Sequence, residues 1–290
     1  MNDDAVSLVN NLIFDVGMHQ GEDTEYYLKR GFKVIAFEAN PDLVQNNKKI
    51  FSQEIARGDL IIVEGAIVDD QSMKTVKFYV NENSSVWGTV VPDFAERNEQ
   101  LGTRNKIVEV DAINFRSCLR KYGIPYFMKI DIEGADLFCL KSLKSFSNKP
   151  AYLSIESDKV SFEKLLIEIE LLESLGYSSF KAVQQADVPM MKVPLKSCEG
   201  KVVKHIFTKE ASGMFGSDLP GKWLTKKEVV IIYQDIFTQY RRFGDNTIWQ
   251  KNSFAQTLLK ALSRITGNHY PGWYDTHARH HSVTTMLNAD

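Results

Sequence analysis

The sequence lacks a long hydrophobic run. No apolar stretch reaches the length of about 20 residues that a membrane-spanning helix needs. Its opening, MNDDAVSLVNN, carries two acids and no extended apolar segment, so it is not expected to act as a signal peptide. Cysteine is scarce: Cys118, Cys139 and Cys198 lie far apart, with no CxxC pair. That spacing excludes a zinc-ribbon pattern and a disulfide framework, and leads us to expect reduced thiols and a cytoplasmic setting. Charge of one sign is also missing. The formal net charge of the 290 residues is −2, too small for a global field that would recruit nucleic acid or an acidic membrane surface. There is no internal repeat and no low-complexity tract. Hydrophobic residues at 43% and charged residues at 25% are ordinary for a globular chain, which is long enough to bury a sizeable core.

What the sequence does have is alternation. Short apolar runs at Asn11–Val16, Lys33–Ala39, Asp59–Val68, Pro125–Ile132, Ala151–Ser157 and Tyr177–Val183 read as buried strands. Helical stretches separate them, at Glu22–Arg30, Pro41–Ile55, Arg116–Gly123, Asp136–Phe146 and Phe162–Gly176. The last of these is amphipathic, with Phe162, Leu165, Leu166, Ile169 and Leu172 on one face. A further strand is expected over Val202–Thr208, and added strands at Thr75–Val80 and Lys106–Ile113 flank a long polar loop. Strands alternating with helices imply an α/β domain with a mostly parallel sheet. From about Lys226 the character changes. We expect a catalytic-type domain over 1–224 and a helical, aromatic extension over 225–290.

The first strand ends in an unusual turn. Asp15, Gly17 and Gly21 give D-x-G-x-x-x-G, whereas the dinucleotide fingerprint is G-x-G-x-x-G. The missing middle glycine speaks against an NAD-dependent dehydrogenase. A wider loop suits a bulkier, less charged group, and the free N–H groups of the following helix can still receive one anion. Glu38 ends the second strand roughly 20 residues on, where an acid would accept ribose hydroxyls. One anion site, a glycine turn and a ribose-binding acid together describe S-adenosylmethionine. Asp131 and Glu133 follow the strand FMKIDI, and Glu156 ends YLSIES, so three more acids collect at strand mouths. Asp131 is also a candidate cap for the helix after it.

FDVGMHQGEDTEYYLKRGFKVIAFEANP together with FMKIDIEGADLFCLKSL resembles the FkbM family of S-adenosylmethionine-dependent methyltransferases. VDAINFRSCL, AYLSIE, ASGMFGSDLPGKW and WYDTHARH extend the resemblance to about Leu12–His280. It implies a Rossmann-like class I methyltransferase fold with a seven-stranded sheet, and O-methylation of a sugar, glycan precursor or natural product. It also implies cofactor contacts from Asp15, Gly17, Gly21, Thr24, Glu38, Ala39, Ala66, Ser84, Ser85 and Asp131. The family's commonest loop has Ala-Asn where this chain has Met18–His19. His19 is therefore read as touching cofactor, substrate or only the loop.

A base must remove the acceptor proton, and His19, Asp131, Glu156 and His277 are the candidates. Trp87, Glu133, Trp273 and Tyr274 are candidates for acceptor binding, and Trp223 for lining the cavity, because indole and phenol rings offer flat apolar walls with a polar handle. His277 and His281 have the i,i+4 spacing of a metal pair but lack the HExxH glutamate, so no metal site is expected there. Two alternatives stay open: Mg²⁺ held by Asp131, Glu133 and Glu156 assisting the transfer, and a non-catalytic partner subunit that keeps the fold. The oligomeric state and the acceptor are not legible.

Overall fold

The structure is a computed structural model, which describes residues 5–70, 72–158, 161–243, 247, 257, 259 and 272–283. Trp249 and His269 lie outside the described residues. The chain begins β1 (Leu8–Val16), α1 (Glu22–Lys29), β2 (Lys33–Glu38), α2 (Pro41–Ile50), α3 (Ser52–Arg57) and β3 (Leu60–Glu64). A side excursion follows: β4 (Ala66–Ile67), β5 (Thr75–Asn81), α4 (Pro92–Gln100) and β6 (Asn105–Ile113). The main alternation resumes with α5 (Phe115–Tyr122), β7 (Ile124–Ile130), α6 (Asp136–Leu143), β8 (Tyr152–Glu156), α7 (Phe162–Ser174) and β9 (Tyr177–Gln184). α8 (Lys226–Phe243) and β10 (Tyr274–His280) complete it.

Seven strands form one sheet in the order β3-β2-β1-β7-β8-β10-β9, and β4-β6-β5 form a small second sheet. In the large sheet only β10 runs antiparallel, to β8 on one side and β9 on the other. This is the mixed α/β, Rossmann-like architecture expected. The strands read as continuous apolar runs because both faces are covered. Alternate residues feed two cores. Leu12, Phe14 and Val16 meet Leu119, Leu140, Leu165, Ile169, Val229 and Tyr233 on the face of α5–α8. Ile13 meets Tyr26, Tyr27, Phe127, Phe207 and Phe215 on the face of α1. The strand order reverses between β1 and β7, and at such a switch point the loops after the strands part to leave a crevice.

Several expectations need correction. Val202–Thr208 joins no strand, and the seventh strand is instead Tyr274–His280. Among the described residues from 225 onward, α8 packs on α7 and β9 and β10 fills the interior of the sheet, so these two elements are part of the main fold. The sequence of β10, YDTHARH, has too few apolar residues to announce a buried strand. The expected helix Pro41–Ile55 is two helices, broken at Phe51. The third strand is interrupted by Gly65, whose φ of 126° turns the chain from β3 into β4. The long polar loop contains α4, entered through Pro92 at its first position.

Candidate functional site

The loop between β1 and α1 is held from both sides. Gly17 and Met18 donate N–H bonds of 3.1 and 2.9 Å to the Phe37 carbonyl. The His19 N–H and the Asn40 N–H each donate to the Glu38 carboxylate at 2.8 Å. His19 adopts a left-handed φ of 52°, uncommon for a residue with a side chain. Its ring bridges Glu22 (3.1 Å from Nδ1) and the Ser85 hydroxyl (2.8 Å from Nε2). Burial works against the imidazolium, but Glu22 and Glu38 outweigh it and the pKa of His19 is raised. Burial likewise raises that of Glu38, against the two N–H groups it accepts.

Beneath the loop lies a line of polar side chains, set by strand register. Asp15 of β1 is opposite Lys129 of β7, Lys129 is opposite Ser154 of β8, and Ser154 is opposite His277 of β10, which faces Lys181 of β9. All five are buried. Thr24 donates to Asp15 at 2.6 Å. Lys129 donates to the Gly17 carbonyl at 2.6 Å and lies 3.5 Å from Asp15, 3.8 Å from Asp23 and 3.7 Å from Asp131. Burial opposes the ammonium charge, yet these acids raise its pKa. Burial pushes Asp23 up to about 7, with Lys129 pulling the other way. Asp23 also accepts the Ser212 N–H at 2.9 Å, which ties the 209–212 segment over the crevice.

The crevice itself is a cleft of about 430 Å³. One end is apolar, walled by Ala39, Ala66, Ile67 and Phe78, with Glu38 beside them. The middle is bounded by Gly17, His19, Asp131 and Lys129. The far end carries Glu156, Asp275, Gln185, Trp273 and the 209–212 segment, and Ser85, Trp87 and Glu133 close it from the small-sheet side. Glu133 has a φ of 47° and its carbonyl accepts the Thr89 hydroxyl at 2.7 Å, while its carboxylate faces Arg97 at 3.9 Å.

The remaining expected site residues sit elsewhere. Asp15 and Thr24 are buried behind the loop and shape it through each other and Lys129. A side chain on Gly21 would meet the Phe51 ring, so this glycine serves packing. Ser84 braces its own turn, its N–H donating to Asn81 at 2.9 Å. Tyr274 faces the core of α5–α8, because alternation along β10 sends it away from Asp275. His277 shares the cleft-side face but lies one pleat deeper, 2% exposed. Burial, with Lys181 nearby, holds its pKa down at about 3, which does not suit a proton-accepting base in neutral solution. Trp223 packs against Lys181, Arg279 and Tyr152 and does not line the cleft.

Sequence reasoning missed Glu22, Asp23, Gln185 and Ser212, and noticed Asp275 only as a neighbour of Trp273 on the acceptor side. Asp23 and Glu22 had a signal in the acid-rich first turn of α1, and Asp275 in its place beside Trp273; the others belong to loops whose position no local pattern reveals. Among the described residues no group of three or more His, Cys, Asp or Glu side chains is arranged to hold a metal ion, so the Mg²⁺ alternative draws no support from the geometry. Among the same residues no helix is long and apolar enough to cross a membrane.

A model of the methyltransferase FkbM domain matches residues 15–179. Among solved structures, the chain is similar to a methyltransferase FkbM from Methylobacillus flagellatus at 16% identity and a TM-score of 0.40, over 61% of this chain and 40% of that one. It is similar to a precorrin 8w decarboxylase from Methanobacterium thermoautotrophicum at 13% identity and a TM-score of 0.35, over 60% and 68%. An rRNA methylase from Streptococcus thermophilus aligns at 12% identity and a TM-score of 0.33, over 66% and 81%. No curated protein matches.

Proposed function

We propose, from the premise that this chain belongs to the methyltransferase FkbM domain family, that it moves a methyl group from S-adenosylmethionine to a hydroxyl of a sugar, glycan precursor or natural product. The observation that carries the reading is the continuity of the cleft: an apolar end with the Glu38 carboxylate runs without a break into an end built of carboxylates and an indole.

The residues present fit the cofactor. Glu38 is pinned by two N–H groups and keeps further lone pairs toward the cleft, where ribose hydroxyls would donate. Ala39, Ala66 and Phe78 leave a flat apolar slot for adenine. Asp131, with Glu156 and Asp275 beyond it, suits a molecule with two positive centres and no phosphate. When bound, S-adenosylmethionine supplies a methyl carbon activated by the positive charge of its sulfur. The chain has two remaining tasks. It must align the acceptor oxygen, a contribution of up to about 7–11 kcal/mol, and it must take the hydroxyl proton, worth about 10²–10⁴-fold. Trp273 and Trp87 provide flat walls for the first task, and the carboxylates of Asp131, Glu156 and Asp275 line the cleft where the second is needed. Excess carboxylate at the acceptor end disfavours an anionic acceptor there.

The experiment is incubation of the full chain with labelled S-adenosylmethionine and a panel of sugars, sugar nucleotides and glycan precursors, with products read by mass spectrometry. Methyl ethers are the expected products. Label appearing only on nitrogen acceptors would refute the hydroxyl specificity, and a chain that fails to bind the cofactor would refute the reading as a whole.

A further inference from the structure

Three neighbouring strands bring acids to one edge of the sheet: Asp131 just after β7, Glu156 at the end of β8 and Asp275 near the start of β10. Register pairs Ile130 of β7 with Ile155 of β8, so Asp131 and Glu156 follow side by side, and Asp275 of β10 lies directly opposite Glu156. Asp275 and Glu156, as antiparallel cross-strand partners, share a face with Cβ atoms about 5 Å apart, and all three acids line the cleft. Like charges that close cannot all ionise cheaply. Their surroundings then separate them. The Asp131 side chain is 42% exposed and has Lys129 at 3.7 Å. Asp275 is 6% exposed. Facing it are Asp131 and Lys129 from β7, Glu156 from β8 and Asp23 from α1, with His277 on its own strand and Lys209 and Glu210 on the segment that shares the cleft. Burial raises the Asp275 pKa well above the carboxylate range, and Asp131 and Glu156 add to this while Lys129 opposes it.

We propose that Asp275 is the group that takes the acceptor's proton, and that it becomes charged only when the cofactor's sulfonium enters the cleft beside Asp131 and Glu156. The proposal rests on the methyl-transfer reading above. A cation within about 4–6 Å favours the charged form of a carboxylate, so donor binding expels the Asp275 proton to solvent. In the transfer the acceptor oxygen forms the new O–C bond. The C–S bond breaks with its electron pair going to sulfur, and the hydroxyl proton passes to the Asp275 carboxylate. The product thioether is neutral, so Asp275 again stands among like charges with no cation to hold it ionised, and it keeps the proton until the next donor binds. The base is thus present when a methyl group is present to move, and absent otherwise.

The test needs no acceptor. Titration calorimetry of the full chain with S-adenosylmethionine and with S-adenosylhomocysteine, each in buffers of different ionisation enthalpy, counts protons released on binding. Wild type should release up to about one more proton with the sulfonium ligand than with the thioether, and Asp275→Asn should bind both while losing that excess. Equal proton counts for the two ligands in wild type overturn the proposal. An excess that persists undiminished in Asp275→Asn overturns it too. Should Asp275→Asn not fold, Glu156→Gln removes the like charge opposite Asp275 and must reduce the excess; an unchanged excess again overturns the idea. A wild-type chain that binds neither ligand sinks the methyl-transfer reading instead.

Discussion

Gly17 has a φ of 91°, and a side chain there would overlap the Asp131 carbonyl oxygen. Its need for glycine is thus set by two strand ends, β1 and β7, that approach each other across the switch point. Gly17→Val is expected to lose stability as well as cofactor affinity, by more than about 2 kcal/mol, since both the backbone conformation and the contact are violated. A thermal melt checks this; an unchanged midpoint would show that the turn relaxes freely. Glu38 is the complementary case. Glu38→Ala removes the acceptor for His19 and Asn40 as well as for ribose, so binding of S-adenosylhomocysteine should weaken at least tenfold, each charged hydrogen bond being worth on the order of 1.5–3 kcal/mol. Equal calorimetric affinity in the variant would remove Glu38 from the site. Both residues were legible as sequence, in a loop with displaced glycines and an acid at the right distance. Why Gly17 must be glycine was not, because its neighbour Asp131 is more than a hundred residues away along the chain.

At the scale of elements, β10 is where reading and structure part. Its alternation is real: Tyr274 and Thr276 turn to one core while Asp275 and His277 turn to the cleft face. The inward residues are polar because their cross-strand neighbours are Glu156 and Ser154, so hydrophobic periodicity could not reveal the strand. His277 gives this element a pH signature. Its folded pKa of about 3 lies below the unfolded value of about 6.5. The unfolded chain therefore binds the proton first, and the stability present above pH 6.5 is lost as pH falls toward 3. Between pH 6.5 and 5 the loss amounts to about 2 kcal/mol from this group alone. Denaturant melts at pH 7 and pH 5 should show a smaller drop for His277→Gln than for wild type; identical drops would mean that His277 is hydrated or paired in solution. α7, by contrast, was largely legible: Leu165, Ile169 and Leu172 bury the face that their spacing draws, while Phe162 and Leu166 are half-buried and Glu168 joins the buried side unannounced.

For the whole molecule, the small net charge of −2 conceals a segregation: acids collect at the C-terminal edge of the sheet, around one buried lysine. A ligand that binds only the folded chain should stabilise the entire fold. S-adenosylhomocysteine at a hundred times its dissociation constant should contribute about 2.7 kcal/mol, which for a chain of this size is a rise of roughly 4 °C in melting temperature. No shift at saturating ligand would contradict a cofactor site in this cleft. The sequence by itself determined the alternation of strands and helices, the mostly parallel sheet, and the acids at strand ends, because period, turn residues and position along a strand are local properties. Only the tertiary structure decided which acids stand together. Asp131, Glu156 and Asp275 become neighbours through the register of β7, β8 and β10. Residues 275 and 156 meet because an antiparallel strand from the end of the chain slots between two others, and that long-range pairing leaves no mark on the composition of either segment.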